Sequence, residues 1–166
     1  MVTLMDTALI VTTLACGLVA GLVWGFSVVV MPGIAKLSDK DFLLAFKHMD
    51  AVIQNRQPMF MLVWVGSVAS ALVTLALGTM QLSGAPRQLM WFACGLYLVA
   101  VQGPTIRFNI PLNNAVQALN IEGMNDKELV EARARFEAPW NRWNQFRTWA
   151  AVFSVVALVA LQTMLR

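Results

Sequence analysis

Histidine, tyrosine and cysteine are almost missing from this chain, which has one His, one Tyr and two Cys. Cys16 and Cys94 belong to no CxxC pair and no Cys/His cluster, which excludes the usual thiolate metal centres. Both fall in apolar stretches, where a free thiol behaves as a small hydrophobe. Charge is scarce too: Asp, Glu, Lys and Arg make up 13% of the chain, against roughly a quarter in an ordinary soluble domain. No GxGxxG, phosphate loop, GxSxG or HExxH occurs, so the nucleotide-binding and hydrolytic machinery that those motifs mark is not expected. The net charge of +3 is no nucleic-acid signature. The acids Asp39, Asp41, Asp50, Glu122, Asp126, Glu128, Glu131 and Glu137 sit among the basic residues and leave no basic stripe.

What the chain has in excess is apolar length. Hydrophobic residues make up 58% of it, and its mean hydropathy is +0.65. The charges are segregated: Asp6 is the only one before Lys36, and none lies between Arg56 and Arg87, Arg87 and Arg107, or Arg147 and Arg166. Each gap holds the roughly 17 to 25 residues of a spanning helix. The reading is an all-α integral membrane protein, one domain over 1–166, with four transmembrane helices near 7–31, 58–82, 87–106 and 147–165. Amphipathic interfacial helices are expected in its two long loops. The first span has no preceding Lys or Arg, too long an apolar run and no clear cleavage site, so it is expected to be retained rather than removed as a signal peptide.

Orientation follows from the basic residues. Segment 32–57 carries Lys36, Lys40, Lys47 and Arg56, and segment 107–147 carries Arg107, Lys127, Arg133, Arg135, Arg142 and Arg147. Only Arg87 and Arg166 fall on the other side. The positive-inside rule then puts both long loops in the cytoplasm and both termini outside the cell (inner) membrane.

Within this frame several stretches stand out. Gly17, Gly21 and Gly25 repeat every fourth residue, as do Gly66, Ser70, Thr74 and Gly78. Such stripes let helices approach closely, here within a four-helix bundle, and the first could equally pack a second protomer. Met31-Pro32-Gly33 ends the first helix, and Gln102-Gly103-Pro104 marks a kink or stop at the end of the third. Residues 38–56 form an amphipathic helix capped by Ser38, with Phe42, Phe46, Met49 and Ile53 as its apolar stripe and Lys47, Asp50 and Gln54 opposite. His48 and Asn55 lie on the flank between. His48 is a solvated interface residue on the plain reading, but it is also the side chain suited to proton exchange near neutral pH. Asn109, Asn113 and Gln117 share one face, with Pro111 bending the segment. Their amides need partners, from loop carbonyls or from a ligand. Asp126 can cap a helix that Pro139 interrupts.

Three of the six tryptophans fall in Phe136–Trp149. As a helix, this stretch aligns Phe136, Trp140, Trp143, Asn144 and Arg147 on one face. That face suits an interfacial anchor or the wall of a polar cavity facing Asn109 and Asn113.

The runs Gly25-Phe26-Ser27-Val28-Val29-Val30-Met31-Pro32-Gly33, Phe108-Asn109-Ile110-Pro111-Leu112-Asn113-Asn114-Ala115 and Trp140-Asn141-Arg142-Trp143-Asn144-Gln145-Phe146-Arg147 resemble signatures of the DUF1772, or anthrone oxygenase-like, membrane proteins. The resemblance covers nearly the whole chain. It implies a mono-oxygenase without cofactor or metal that uses O2 to turn a flat, lipophilic anthrone-type substrate into a quinone. Under that implication His48 is the candidate base and Arg147 the candidate oxyanion stabiliser, both catalytic. Asn55, Asn109, Asn113, Trp140, Trp143 and Asn144 are candidates for binding substrate. The alternative is a non-enzymatic subunit that docks a lipid, a quinone or a partner protein at its cytoplasmic mouth. A transporter fits less well, because no span carries a charge deep in its middle.

The charge count makes a direct prediction. In a chain whose native cysteines are replaced by alanine, a cysteine placed at Ser83 should react with a membrane-impermeant maleimide on intact cells, and one placed at Lys127 only after lysis. The reverse pattern contradicts the orientation.

Overall fold

Thr3 starts the first helix. Its hydroxyl accepts from the Asp6 amide while the Asp6 carboxylate accepts from the Thr3 amide, a reciprocal cap that satisfies donors the helix cannot. The computed structural model describes residues 3–165; Arg166, one of the two cations counted on the outer side, lies outside the described residues. The helices are α1 (Leu4–Ile34), α2 (Asp39–Gln54), α3 (Pro58–Gln81), α4 (Gly84–Gln117) and α5 (Asp126–Met164). A 3-10 turn, Ile121–Gly123, precedes α5. Among the described residues there is no strand. All but α2 are long and apolar enough to cross a membrane, the make-up of a multi-pass membrane protein.

Local chemistry explains the boundaries. Ser38 caps α2 by accepting from the Asp41 amide, and Gln57 caps α3 with Pro58 in the first turn. Asn125, rather than Asp126, caps α5, because its side-chain oxygen accepts from the Glu128 amide. Gly84 takes a φ of 58° at the tight α3–α4 turn, a left-handed conformation that glycine adopts without steric cost.

The helices run further than the prolines suggest. α1 continues through Pro32 to Ile34, and α4 passes both Pro104 and Pro111. Each of these three prolines lies two or three residues beyond a π-helical turn, at Phe26–Val30, Leu96–Val101 and Thr105–Asn109. In each case the amide just after the turn donates five residues back: Met31 to Phe26, Gln102 to Tyr97 and Ile110 to Thr105. A wider turn takes up the register that a proline disrupts. Pro139 sits inside the unbroken α5, on an exposed side together with Arg135, the residue four back whose carbonyl it leaves free. As a result the second long loop shrinks to residues 118–125, and its flanks extend α4 and α5.

α1, α3, α4 and α5 form a closed ring of neighbours, and each neighbouring pair is tied by buried or half-buried polar groups. Thr12 meets Thr74 at 2.8 Å between α1 and α3, and Ser67 meets the Tyr97 hydroxyl between α3 and α4. Ser154 donates to the Ala93 carbonyl between α5 and α4, and Gln162 to Thr13 between α5 and α1. Such bonds contribute about 0.6 kcal/mol each on average in a membrane, so they set register more than they hold the bundle together. Between them lies an apolar core that includes Leu9, Val19, Met90, Tyr97 and Leu158, with Cys16 and Cys94 buried in it as free thiols.

A second core lies at the end with the longer connections, where Phe42, Phe46, Phe136, Trp140 and Leu129 pack. There Arg133 bonds Glu137, Asp39 and the carbonyls of Ala35 and Leu37. Lys40 reaches Glu122, whose hydrogen bond raises the amine's pKa.

The glycine stripe of α1 does not serve these contacts. A Cβ at Gly17, Gly21 or Gly25 would meet nothing within 4 Å, because the face turned inward is Leu9, Thr12, Cys16, Val19 and Val23. On α3 the inward stripe is Ser67, Ala71, Thr74 and Gly78. A Cβ at Gly78 would lie 2.8 Å from Met90 Cε and 3.2 Å from Met5 Cε. Gly78→Ile is therefore expected to destabilise the protein by about 1–3 kcal/mol through overpacking. Gly66→Ala, which meets open space, should leave stability equal or slightly raised. Thermal unfolding in detergent separates the two.

Candidate functional site

Where the two cores meet, all five helices leave a cavity of about 280 Å³. This is just below the roughly 300–1,000 Å³ typical of ligand pockets. Its walls are mostly apolar: Leu22, Val23 and Phe26 of α1, Phe46 and Ile53 of α2, and Phe60, Met61 and Trp64 of α3. Phe60 and Trp64 stack on each other at 5.3 Å and 20°. Into this lining project five polar side chains, Asp50, Thr105, Asn109, Asn113 and Arg147, along with the Trp140 ring.

Arg147 is 7% exposed and has no carboxylate within ion-pair distance among the described residues. A buried guanidinium without compensation is costly, so its remaining partners matter. Asn144 Oδ1 accepts from Nε at 3.1 Å and from Nη2 at 2.9 Å, and Thr105 Oγ1 accepts from Nη1 at 2.9 Å. The guanidinium carbon lies 5.7 Å from the centre of the Trp140 ring, within cation–π range. Asn144 is itself held, since its Nδ2 donates to the Val23 carbonyl at 3.2 Å, and Thr148 donates to the same oxygen. That carbonyl precedes the π turn of α1. Of the five guanidinium N–H donors, three are occupied and two remain.

Asp50 is 3% exposed. Its Oδ1 accepts from Asn113 Nδ2 at 2.7 Å, and its Oδ2 accepts from Gln54 Nε2 at 2.8 Å and Gln117 Nε2 at 2.9 Å. Asn113 Oδ1 in turn accepts from the Trp140 indole N–H at 2.7 Å. A carboxylate offers about four lone-pair positions; three are taken, and the fourth belongs to Oδ1. The cavity thus holds one anion and one cation, and neither is paired to the other.

The structure brings together Asn109, Asn113, Trp140 and Arg147 as lining, with Asn144 directly behind Arg147. His48 and Asn55 are exposed and are not among the lining residues; Asn55 ends α2. Trp143 stacks on Phe108 at 3.8 Å and 3°, off the cavity. Asp50, expected on the outer side of α2, faces inward. The signal was in the spacing: Phe46, Asp50 and Ile53 are i, i+4 and i+7, one helical face. Phe60, Trp64 and Thr105 carry no sequence signal of their place in the lining, since nothing in an apolar span distinguishes a cavity wall from lipid-facing or core positions. Among the described residues no three His, Cys, Asp or Glu side chains cluster to hold a metal ion.

A family model described as anthrone oxygenase matches residues 46–157, more than half of the chain. The chain belongs to the anthrone oxygenase family. The matched segment contains every polar side chain that lines the cavity. The lining from α1 falls outside it. No curated protein and no solved structure shows a match.

The Arg147–Asn144 pair should behave as one unit. Asn144→Leu leaves a buried guanidinium short of two bonds and is expected to cost about 1–3 kcal/mol or more. Adding Arg147→Met should recover part of that loss, for a coupling of about 1–3 kcal/mol in a double-mutant cycle. Thermal unfolding in detergent measures it, and additive losses would contradict the pairing.

Proposed function

We propose that this anthrone oxygenase family member is an enzyme. It oxidises a flat, lipophilic phenol of the anthrone type with O2 to a quinone, using no cofactor, inside the cavity between the two cores. The observation that carries this reading is an apolar cavity with one guanidinium and one carboxylate facing the same space, each with unused hydrogen-bonding capacity. The lipid bilayer supplies the substrate, since such molecules partition into it. The excess of Lys and Arg in the two long loops supports a cavity end on the cytoplasmic side of the inner membrane, with both termini outside.

The chemistry divides among the residues. An anthrone is a carbon acid whose methylene proton leaves to give a delocalised oxyanion. Asp50 Oδ1, with its free lone pair, is the group on the cavity wall able to receive that proton. His48, two residues away, faces outward. The two free N–H groups of Arg147 stabilise the oxyanion in surroundings of low dielectric. The Trp140 ring offers a flat wall against which the tricycle can lie. The carbanion then gives an electron to O2, and the radical pair joins as a carbon-bound peroxide anion, which takes back the proton held by Asp50 to become the hydroperoxide. Loss of water leaves the new carbonyl: anthrone plus O2 becomes anthraquinone plus H2O. Asn113 and Asn144 act as positioning residues, the first on Asp50 and the second on Arg147.

Purified protein in detergent, incubated aerobically with a hydroxylated anthrone, should form quinone and consume O2 well above the rate in buffer. Asp50→Asn should lower kcat/KM by about 10²–10⁴-fold and Arg147→Met by about 10²–10³-fold. His48→Ala should retain the native rate. A native rate equal to buffer contradicts the proposal, and loss of activity in His48→Ala returns the base to the histidine.

A further inference from the structure

Asn109 lines the cavity and is only 1% exposed. Its Nδ2 donates to the Trp140 carbonyl at 3.3 Å, but its Oδ1 is buried with no hydrogen-bond partner among the described residues. The amide cannot simply be turned over, because that would point Oδ1 at another carbonyl oxygen. An unmet acceptor in such a place costs about 1–3 kcal/mol, and most buried polar groups are satisfied. The other orphaned atom, Gln102 Nε2, lies off the cavity. The unmet acceptor stands four residues from Thr105, which holds Arg147, and its amide is tied to the backbone of Trp140, whose ring Arg147 faces.

We infer that Asn109 Oδ1 is the acceptor for a hydroxyl on the ligand, so that the cavity selects a flat molecule carrying a free O–H donor and rejects its methyl ether. The inference rests on the cavity being the ligand site of the proposed function, but not on turnover. Apolar walls and Arg147 alone would accept the hydroxyl and methoxy forms alike, since both present acceptors. Asp50 Oδ1 keeps one lone pair, but its carboxylate already accepts from three amides; Asn109 Oδ1 is the acceptor on a lining residue with no partner at all. The methoxy form leaves that oxygen unpaired and places a methyl group against it.

The test compares binding of a hydroxyanthraquinone and its methoxy counterpart, substituted at the same ring position. These stable products avoid autoxidation. Quenching of tryptophan fluorescence reads binding to the full chain in detergent, in mildly acidic buffer that keeps the phenol protonated. The native protein should bind the hydroxyl form about tenfold or more tighter than the ether. Asn109→Leu should bring the ratio close to one while keeping affinity for the ether, which also shows that the cavity is intact. Asn109→Asp, which keeps an acceptor, should keep the preference. No preference in the native protein, or the same preference in Asn109→Leu, overturns the inference. A preference that depends on Asn109 in a protein that forms no quinone would leave this inference standing and remove the oxygenase reading. Quinone formation that ignores the hydroxyl would do the opposite.

Discussion

A guanidinium buried without a carboxylate is the constraint on which the rest of this structure turns. Arg147 sits 7% exposed between α5, α4 and α1. Its charge is tolerable only because Asn144, Thr105 and the Trp140 ring surround it. Each of those is fixed in turn. Asn144 bonds the Val23 carbonyl of α1, Thr105 bonds the Val101 carbonyl within α4, and the Trp140 indole bonds Asn113. Asn113 then reaches Asp50 on α2. One chain of polar contacts thus runs from the cation to the anion around an apolar cavity, through α5, α4 and α2, with a branch to α1 through Asn144. A closely packed bundle would bury an ion pair or neither charge. Here the two are held apart by amides, an arrangement that leaves each free to serve a third group.

The cavity exists because the protein has two cores rather than one. Small residues let α1, α3, α4 and α5 pack closely around Met90 and Tyr97, while aromatics from α2 and α5 build a bulkier cluster at the other end. The seam between small and large packing is where space remains. Prolines contribute through the π turns beside them, at Phe26–Val30 and Thr105–Asn109. Both turns contribute cavity-lining residues, and π turns of this kind often accompany functional sites.

The four spans were legible because charge is segregated along the chain, and the bilayer forces that segregation on any sequence that crosses it. The aromatic and amide face of α5 was legible too, since Phe136, Trp140, Asn144 and Arg147 repeat at helical spacing. Prolines misled, because a break and a π turn share the same local signal and only packing decides between them. The α1 glycines misled for a related reason: a small-residue stripe states that close approach is allowed, not that a neighbour is there. By chemistry alone His48 stands out on the flank of α2, and Asp50 lies opposite its apolar stripe. His48 is exposed and Asp50 buried, and burial depends on how α2 rolls against α5, a tertiary fact that Phe46 and Ile53 only hint at. The spacing of Asn109 marks an amide in need of a partner, but which of its two ends lacks one depends on how α4 packs against α5.

The central claim is that the cavity takes a proton from a carbon acid and holds the resulting oxyanion against Arg147. The most direct measurement is anaerobic mixing of the protein with one equivalent of a hydroxylated anthrone, recording the absorbance of the bound species before any O2 is admitted. The account predicts the spectrum of the anthrone anion at a pH where the free molecule stays neutral, and its loss when Arg147 is replaced by Met. A bound anthrone that keeps its neutral spectrum in the native protein would contradict it.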